Sequence, residues 1–468
     1  FLSTSEEKNL TDIINNIDAN DDNQRIAHNL GLKKNDLILI RKSINPLVRS
    51  SLDYKIQNSD FRANDTSITP VQHVDIAINK FKRLSVAEVF TPPWVVDKMY
   101  GALDHDFWQN ARDTKVLDIA SKSGSFAQGY VNNAAINGTD VLEIKDNFYS
   151  IPTSPAAYEF TRKMYLALGL NVDNIAQHFT SFDLMYLSGK EVEFLLSQNK
   201  KFRDIRLENL ENYDTITDKE SEDNQVKFTA IVGNPPYQVS DNSSGKGSAK
   251  PLYHFFIEKS ISMNPRFVSL ITPSVWFTGG KGLSTFRQSM INDTRLRKFD
   301  IFMTPKDVFP TANLRGGVNY FLWDSHYDNS AKGIHVTQYE NNKQISDETR
   351  PFKTKGVEDI FISDNRAVGL LENLFSKKFI SSDMDSDGML AKYISSRNPF
   401  GFDTKFRKSL DFRESKTGVS NPVKLYVKNG ITGFVSRGSI KKNKEMIDTW
   451  KVITPFANNI GTDLNDDN

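Results

Sequence analysis

The residues with the clearest chemical potential lie in Ala230–Tyr237, where an apolar run leads directly into Asn234, Pro235, Pro236 and Tyr237. Each proline favours an extended backbone in the residue before it, so the Asn234 side chain and a neighbouring carbonyl can form two fixed acceptors. Two such acceptors can draw the nitrogen of a conjugated exocyclic amine towards a tetrahedral geometry and free its lone pair. Tyr237 can stack on the ring that carries the amine. These four residues are the predicted catalytic residues, and the alternative is an ordinary Asn-Pro turn after a strand.

A second candidate site lies upstream in Lys115–Phe126, where Asp118 closes a strand-like run and a turn of small residues leads into a helix. Small residues let a ligand approach the backbone, and the amino terminus of the helix faces that ligand. This arrangement suits a nucleotide-like cofactor. Dinucleotide-binding folds use three glycines at such a turn, whereas this one has only Gly124, so a plain tight turn is the alternative.

Three segments in chain order, Ala87–Met99, the turn that contains Gly124, and Gly233–Tyr237, resemble the N6-adenine DNA methyltransferases with the gamma order of motifs. More closely, they resemble the methylase part of Eco57I-like restriction-modification enzymes. The resemblance covers residues 81–324. It implies S-adenosylmethionine as the methyl donor and an adenine flipped out of double-stranded DNA as the acceptor. It implies direct transfer without a metal ion or a covalent enzyme intermediate.

The resemblance also implies roles for individual residues. The implied cofactor-binding residues are Thr91, Asp118, Gly124 and Asp183. Phe309, in a Val-Phe-Pro segment, is implied to stack on the flipped-out base. Structural roles are the alternatives: Thr91 as the N-cap of a helix with Pro92 at its first position, Asp183 as a helix cap, and Phe309 as loop packing.

Two positions depart from the family pattern. Lys122 stands where the first glycine of the turn usually lies, and Pro152 lies near the position of the acid that binds the ribose hydroxyls. These departures support one alternative function, a catalytically weak subunit that binds DNA or partners in a defence complex. A methyltransferase that modifies a protein glutamine or RNA is the other alternative, because such enzymes also use an Asn-Pro-Pro-Tyr turn.

The elements around these motifs indicate the fold. From residue 76 to 324, short apolar runs alternate with amphipathic segments, which predicts a Rossmann-like, mostly parallel α/β sheet forming a methyltransferase domain. Residues 1–75 are polar and helical in pattern, and we expect a helical N-terminal appendage or linker there. Residues 325–468 are expected to form an irregular α+β domain. By its position and the segment Ile431–Lys442, this domain weakly resembles a target-recognition domain.

Composition limits how the chain can hold DNA. Among its 468 residues, 59 lysines and arginines face 58 aspartates and glutamates, a net charge of +1, so a polyanion must be held by local patches. Candidate patches are Lys246–Lys250, the group Arg287, Arg295, Arg297 and Lys298, and Arg437–Lys444. An ordinary charged surface is the alternative for each patch.

Other compositional features bear on partners and location. The absence of cysteine excludes a thiolate zinc site and fits a cytoplasmic protein, and no apolar run is long enough to predict a membrane span. We expect no metal site, because no His, Asp and Glu cluster has metal-ligand spacing. No nuclease or ATP-binding motif is identified, and the resemblance implies a nuclease or helicase on a further segment or a partner subunit.

Overall fold

The computed structural model describes residues 6–79, 83–85, 88–197, 225–239, 250–280, 282–311, 314, 316–377, 398–403, 406, 409–427 and 431–450. The chain divides into two compact units, Phe1–Glu372 and Asn373–Asn468. The described strands of the first unit are β1 (Arg83–Ser85), β2 (Glu88–Val89), β3 (Val116–Ser121), β4 (Phe148–Pro152), β5 (Ala230–Gly233), β6 (Gln238–Val239), β7 (Lys250–Pro251), β8 (Phe267–Pro273), β9 (Leu296–Phe302), β10 (Val318–Asp324), β11 (Ile334–Glu340) and β12 (Lys343–Arg350).

The first unit is organised around one eight-stranded sheet with the order β12-β11-β9-β10-β8-β5-β3-β4. Parallel pairing joins β4 to β3, β3 to β5, β5 to β8 and β9 to β11. Strand β10 is antiparallel to both of its neighbours, and β12 is antiparallel to β11. The predicted α/β class with a mostly parallel sheet is therefore confirmed.

Burial explains why the strand sequences are so apolar. Every residue of β3, β5, β8 and β10 is buried, as expected for strands covered on both faces.

The described helices are α1 (Leu10–Asn16), α2 (Asp21–Asn29), α3 (Lys34–Ser43), α4 (Pro46–Ala63), α5 (Pro70–Asn79), α6 (Pro93–Gly101), α7 (His105–Gln109), α8 (Ser125–Ile136), α9 (Val141–Ile144), α10 (Pro155–Leu168), α11 (Gly189–Ser197), α12 (Tyr253–Ser262), α13 (Ser284–Asn292), α14 (Asn329–Lys332) and α15 (Asn365–Ser376).

The amino-terminal part is helical, as its sequence pattern predicts. Asparagine side chains accept backbone N–H bonds at the starts of three helices, namely Asn9, Asn20 and Asn45. Arg25 and Asn29 donate to the Glu159 carboxylate in α10, at 3.1 and 2.7 Å. The division expected after residue 75 falls inside α5, which continues to Asn79.

The carboxyl-terminal part differs from the expected division after residue 324. Strands β11 and β12 belong to the same eight-stranded sheet, and the compact unit extends to Glu372. A division after residue 324 therefore does not coincide with the compact units. The second unit contains an antiparallel pair, β13 (Pro422–Tyr426) and β14 (Thr432–Ser436). The target-recognition role of this region stays a prediction.

Candidate active site

The predicted catalytic turn lies at the carboxyl edge of the parallel strands. Val232 in β5 is the register partner of Asp118 in β3, so Asn234 lies beside the end of β3. On the other side of β3, Ser121 pairs with Pro152 at the end of β4. The carboxyl edge of a parallel sheet, where successive loops converge, is where open α/β sheets bind ligands. The fold thus brings the two predicted motifs together.

The Asn234 side chain is fixed by one hydrogen bond from its nitrogen, and its oxygen has no partner among the described residues. The residue is 2% exposed, and its Nδ2 donates to the carbonyl of Val89 at 3.1 Å. Because a carbonyl can only accept, this bond fixes which end of the amide faces Val89. Its Oδ1 is buried without a hydrogen-bond partner among the described residues. Asn234 therefore presents a rigid, desolvated acceptor.

The two predicted aromatic residues contact each other. Tyr237 and Phe309 pack edge to face with ring centroids 6.3 Å apart, and Phe309 is 2% exposed. Burial raises the pKa of Tyr237 well above its usual value, which keeps the phenol neutral. Its hydroxyl has no hydrogen-bond partner in the described part of the chain. The structure places both rings beside the Asn-Pro-Pro turn, while stacking on a base stays a prediction.

Thr91 does not cap the helix that follows it. Helix α6 begins at Pro93, with Pro92 in the N-cap position, so the expected N-cap role of Thr91 is wrong by one residue. Thr91 itself is buried, two residues after the Val89 carbonyl that holds Asn234. The Thr-Pro-Pro turn is therefore close to the catalytic turn, and the cofactor contact stays a prediction.

Asp118 lies deeper in the sheet than the sequence suggests. It is the third residue of β3, which continues to Ser121, so the expectation that Asp118 closes the strand is wrong. Its carboxyl is 1% exposed and accepts the N–H of Ala120 at 3.2 Å. Burial raises the pKa of this carboxyl to about 7, against weaker lowering by the Ala120 N–H, Ser121 and Lys122. Its contact with a cofactor stays a prediction.

Gly124 is required by both conformation and packing. It precedes α8 as the N-cap with a φ of 77°, in the left-handed region. A Cβ atom built on it would lie 2.7 Å from the Cβ of Met164 in α10. The glycine thus allows the close approach of the turn to α10, which explains this residue without a ligand. Its cofactor role stays a prediction.

We expect Gly124→Ala to lower the free energy of unfolding by roughly 3 kcal/mol, through backbone strain and collision with a backbone-fixed Cβ atom. Gly169→Ala is the matched control. Gly169 ends α10 with a φ of 80° and has no atom within 4 Å of an added Cβ. It should lose only the strain energy, about 1 kcal/mol. Urea unfolding measures both variants, and equal losses would contradict the packing argument.

Asp183 takes the capping role that was its alternative. It lies in a 3-10 helix at Ser181–Met185, and its Oδ2 accepts from the Thr180 N–H at 2.7 Å. The same oxygen accepts from the Thr180 hydroxyl at 2.9 Å. Capping is therefore confirmed, whereas recognition of the cofactor's adenine by this carboxylate stays a prediction.

The two departures from the family pattern have different outcomes. No carboxylate occupies the end of β4, where Pro152 is buried, but the adjacent Thr153 Oγ1 is buried without a described partner. Lys122 extends from the turn so that its Nζ donates to the carbonyl of Asn234 at 2.8 Å. The sequence marks the lysine as a departure from the family pattern but does not predict this contact. A long side chain in place of a glycine was the only signal.

Buried polar atoms without a hydrogen-bond partner show whether a cofactor would fit at the carboxyl edge of the sheet. Buried polar atoms without a partner are uncommon in native proteins. Here Thr153 Oγ1 and Asn234 Oδ1 are such atoms, and they follow the ends of β4 and β5 on either side of β3. Thr153 Oγ1 fits a polar cofactor such as S-adenosylmethionine at the end of β4, and Asn234 Oδ1 is left to accept from the substrate at the end of β5.

The arginine and lysine group expected to grip DNA is already paired within the chain. Its pairs are Arg295 with Asp293 at 2.8 Å, Arg297 with Asp104 at 2.6 Å, and Lys298 with Asp300 at 3.0 Å. Arg287 donates to the carbonyl of Gly279 at 3.0 Å. These contacts favour the alternative of an ordinary charged surface for this group.

The other two basic patches are more accessible or lie outside the described residues. In the patch Lys246–Lys250, residues 246–249 lie outside the described residues, and Lys250 is exposed. In the patch Arg437–Lys444, Arg437 pairs with Asp448, whereas Lys441, Lys442 and Lys444 are exposed.

The described helices include none with the length and apolar character of a membrane span. Within the same ranges, no group of three or more His, Cys, Asp or Glu residues could hold a metal ion.

Part of the candidate site lies in a segment that is similar to a known protein family. Residues 146–309 match the model of the Eco57I restriction-modification methylase family, a segment that contains Asp183, Asn234–Tyr237 and Phe309. The resemblance predicted from the motifs is thereby confirmed for these residues. This segment is therefore similar to the methylases of restriction-modification systems.

The similarity to individual proteins covers only part of their length. The chain is 28% identical over 141 residues to a Mycoplasma pneumoniae protein described as an uncharacterized adenine-specific methylase, covering 26% of this chain and 33% of that protein. The chain thus spans about one third of that relative. The DrdV–DNA complex matches with a TM-score of 0.45 and 12% identity over 75% of this chain and 39% of that one. A type I restriction-modification methyltransferase subunit from Streptococcus thermophilus matches with a TM-score of 0.40, 11% identity, and 79% and 74% coverage.

Proposed function

We propose that this chain is a DNA adenine-N6 methyltransferase that uses S-adenosylmethionine, and that it is the modification part of a restriction-modification or phage-defence system. The observation that carries the proposal is the buried, unpartnered Oδ1 of Asn234 in an Asn-Pro-Pro-Tyr turn. This turn lies within the segment that matches the Eco57I methylase family. The Mycoplasma pneumoniae relative, described as adenine-specific, supports adenine as the target.

Asn234 has the geometry to activate an amine. Its Oδ1 can accept one N–H of the adenine amine, and its Nδ2 bond to Val89 keeps the oxygen from rotating away. An acceptor that is already fixed and desolvated needs no reorganisation when charge develops on the nitrogen. S-adenosylmethionine, when bound, supplies an electrophilic methyl group. Asn234 then contributes orientation and polarisation rather than a covalent bond.

The aromatic pair gives the flipped-out base a place to bind. Extruding a base from the duplex costs a few kcal/mol, which stacking and hydrogen bonds can offset. Tyr237 and Phe309 lie together beside the catalytic turn, so their rings are the proposed stacking surface. Thr91, Asp118, Gly124 and Asp183 are the residues proposed to hold the cofactor.

Double-stranded DNA is the proposed substrate, with a nuclease or helicase segment or subunit as the proposed partner. DNA contact is proposed for Lys441, Lys442 and Lys444, because their exposed cationic side chains can meet phosphates. The lack of cysteine is in keeping with action in the cytoplasm.

The test offers tritium-labelled S-adenosylmethionine with duplex DNA, RNA or a release-factor protein to the purified chain. We expect label in N6-methyladenine of the duplex, identified by digestion and chromatography, and sequencing of modified bases would give the recognition site. Label in RNA or in a protein glutamine would instead establish one of the alternative substrates. If calorimetry detects no binding of S-adenosylmethionine, the chain is a catalytically weak subunit, the alternative that the departures at Lys122 and Pro152 raised.

A further inference from the structure

The side chain of Lys122 joins three segments at the centre of the site. It is 6% exposed, and its Nζ lies 2.8 Å from the carbonyl of Asn234 and 3.3 Å from the carbonyl of Val89. The Val89 carbonyl also accepts the Nδ2 of Asn234 at 3.1 Å. One ammonium and one amide therefore converge on the same carbonyl, and together they connect the turn after β3, strand β2 and the catalytic turn.

These contacts are strong for a physical reason. A buried ammonium is costly unless its protons are hydrogen-bonded, so Lys122 must keep its acceptors. Hydrogen bonds from a charged donor are roughly twice as strong as those between neutral groups. The contacts therefore restrain the main chain of Asn234 and the position of the Val89 carbonyl more firmly than neutral hydrogen bonds would.

The restraint bears directly on the acceptor. The direction of Asn234 Oδ1 depends on where Val89 holds the opposite end of the amide. If the Val89 carbonyl moved, the amide could turn and Oδ1 would lose its direction. Lys122 also donates to the carbonyl of Asn234, whereas the side-chain Oδ1 of the same residue has no partner among the described residues.

We propose that Lys122 is a positioning residue, which ties the carbonyls of Val89 and Asn234 together and thereby fixes the direction of Asn234 Oδ1. The inference rests on the proposed methyl-transfer function for its catalytic consequence. An ammonium has no lone pair and cannot itself accept a proton from the target amine. Lys122 therefore acts through Asn234. At a position where the family has a glycine, its side chain connects the carbonyls of Val89 and Asn234.

The test compares Lys122→Met, which keeps the length and apolar stem, with Lys122→Arg, which keeps a charged donor. We expect Lys122→Met to lower kcat roughly 100-fold, the effect of a misplaced catalytic group, with much less change in KM for DNA. Lys122→Arg should recover a large part of the loss. If the role of Lys122 were purely structural, Lys122→Met would lower the unfolding midpoint. It would not lower kcat much more than it changes KM, and Lys122→Arg would not recover kcat.

A readout without cofactor keeps the inference separate from the proposed function. Crystal structures of the wild type and Lys122→Met should show the Asn234 amide rotated or displaced only in the variant, and an unmoved amide overturns the proposal. Faster methyl transfer or tighter binding of S-adenosylmethionine by Lys122→Met also overturns it, because Lys122 would then obstruct the site. If the methionine variant does not fold, Lys122→Gln, which keeps a neutral donor, takes its place. A wild type without transferase activity defeats the proposed function, and the crystallographic comparison still decides the role of Lys122.

Discussion

Replacing Asn234 with alanine is expected to lower kcat for methyl transfer to DNA about 1000-fold, the loss seen when one preorganised hydrogen-bonding group is removed. The variant loses the buried Oδ1 that is proposed to accept the target amine. Affinity for S-adenosylmethionine should be nearly unchanged, because the residues proposed to hold the cofactor are intact. Steady-state transfer of a labelled methyl group measures kcat, and calorimetry measures cofactor affinity.

Asn147→Ala is the matched control. Asn147 is also a buried asparagine whose Nδ2 donates to main-chain carbonyls, those of Ala111 and Arg112, at 2.9 and 2.8 Å. It precedes β4, at the opposite edge of the sheet from Asn234. Its substitution should lower the unfolding midpoint and leave kcat unchanged. An Asn234→Ala enzyme with kcat near that of the wild type would remove the proposed mechanism, and loss of cofactor binding would show that Asn234 serves the cofactor.

The predictable part of the fold is the part that local sequence encodes. Strands β3, β5, β8 and β10 are covered on both faces, so burial selects continuous apolar runs that are visible in the sequence. The pairing of β11 and β12 with the main sheet was not predictable in the same way. Pairing between strands depends on contacts across the chain rather than on a local pattern, and β12 has mostly exposed or half-buried residues.

The same distinction holds for the candidate site. The Asn-Pro-Pro-Tyr turn could be located from sequence because prolines restrict the backbone next to them, and the structure places it at the end of β5. The start of α6 was misplaced by one residue, since either proline of Thr-Pro-Pro can begin a helix. The direction of Lys122 could not be predicted, because a flexible four-carbon side chain takes its direction from the carbonyls that surround it.

Asp118→Asn is expected to stabilise the protein relative to the wild type as the pH rises from 5 to 9. Burial raises the pKa of the Asp118 carboxyl from 3.8 to about 7, so the folded state holds a proton that the unfolded state releases. The favourable contribution of this group is complete below pH 3.8 and is lost as the pH rises through 7. Between pH 5 and 7 the loss is roughly 3 kcal/mol, two pH units at about 1.4 kcal/mol each. The asparagine variant has no such loss.

Urea unfolding of both proteins at pH 5 and pH 9 measures this difference, which should favour the variant by the stated amount at the higher pH. Asp106→Asn is the control, because the hydrogen bond from Arg266 lowers the pKa of the exposed Asp106 carboxyl. A lowered pKa confines its effect to acid below the normal range of an aspartate, so this variant should follow the wild type between pH 5 and 9. If Asp118→Asn shows the same difference from the wild type at both pH values, Asp118 is already ionised in the folded state at pH 5. The carboxyl would then be stabilised by the Lys122 ammonium and the Ala120 N–H more strongly than burial opposes it.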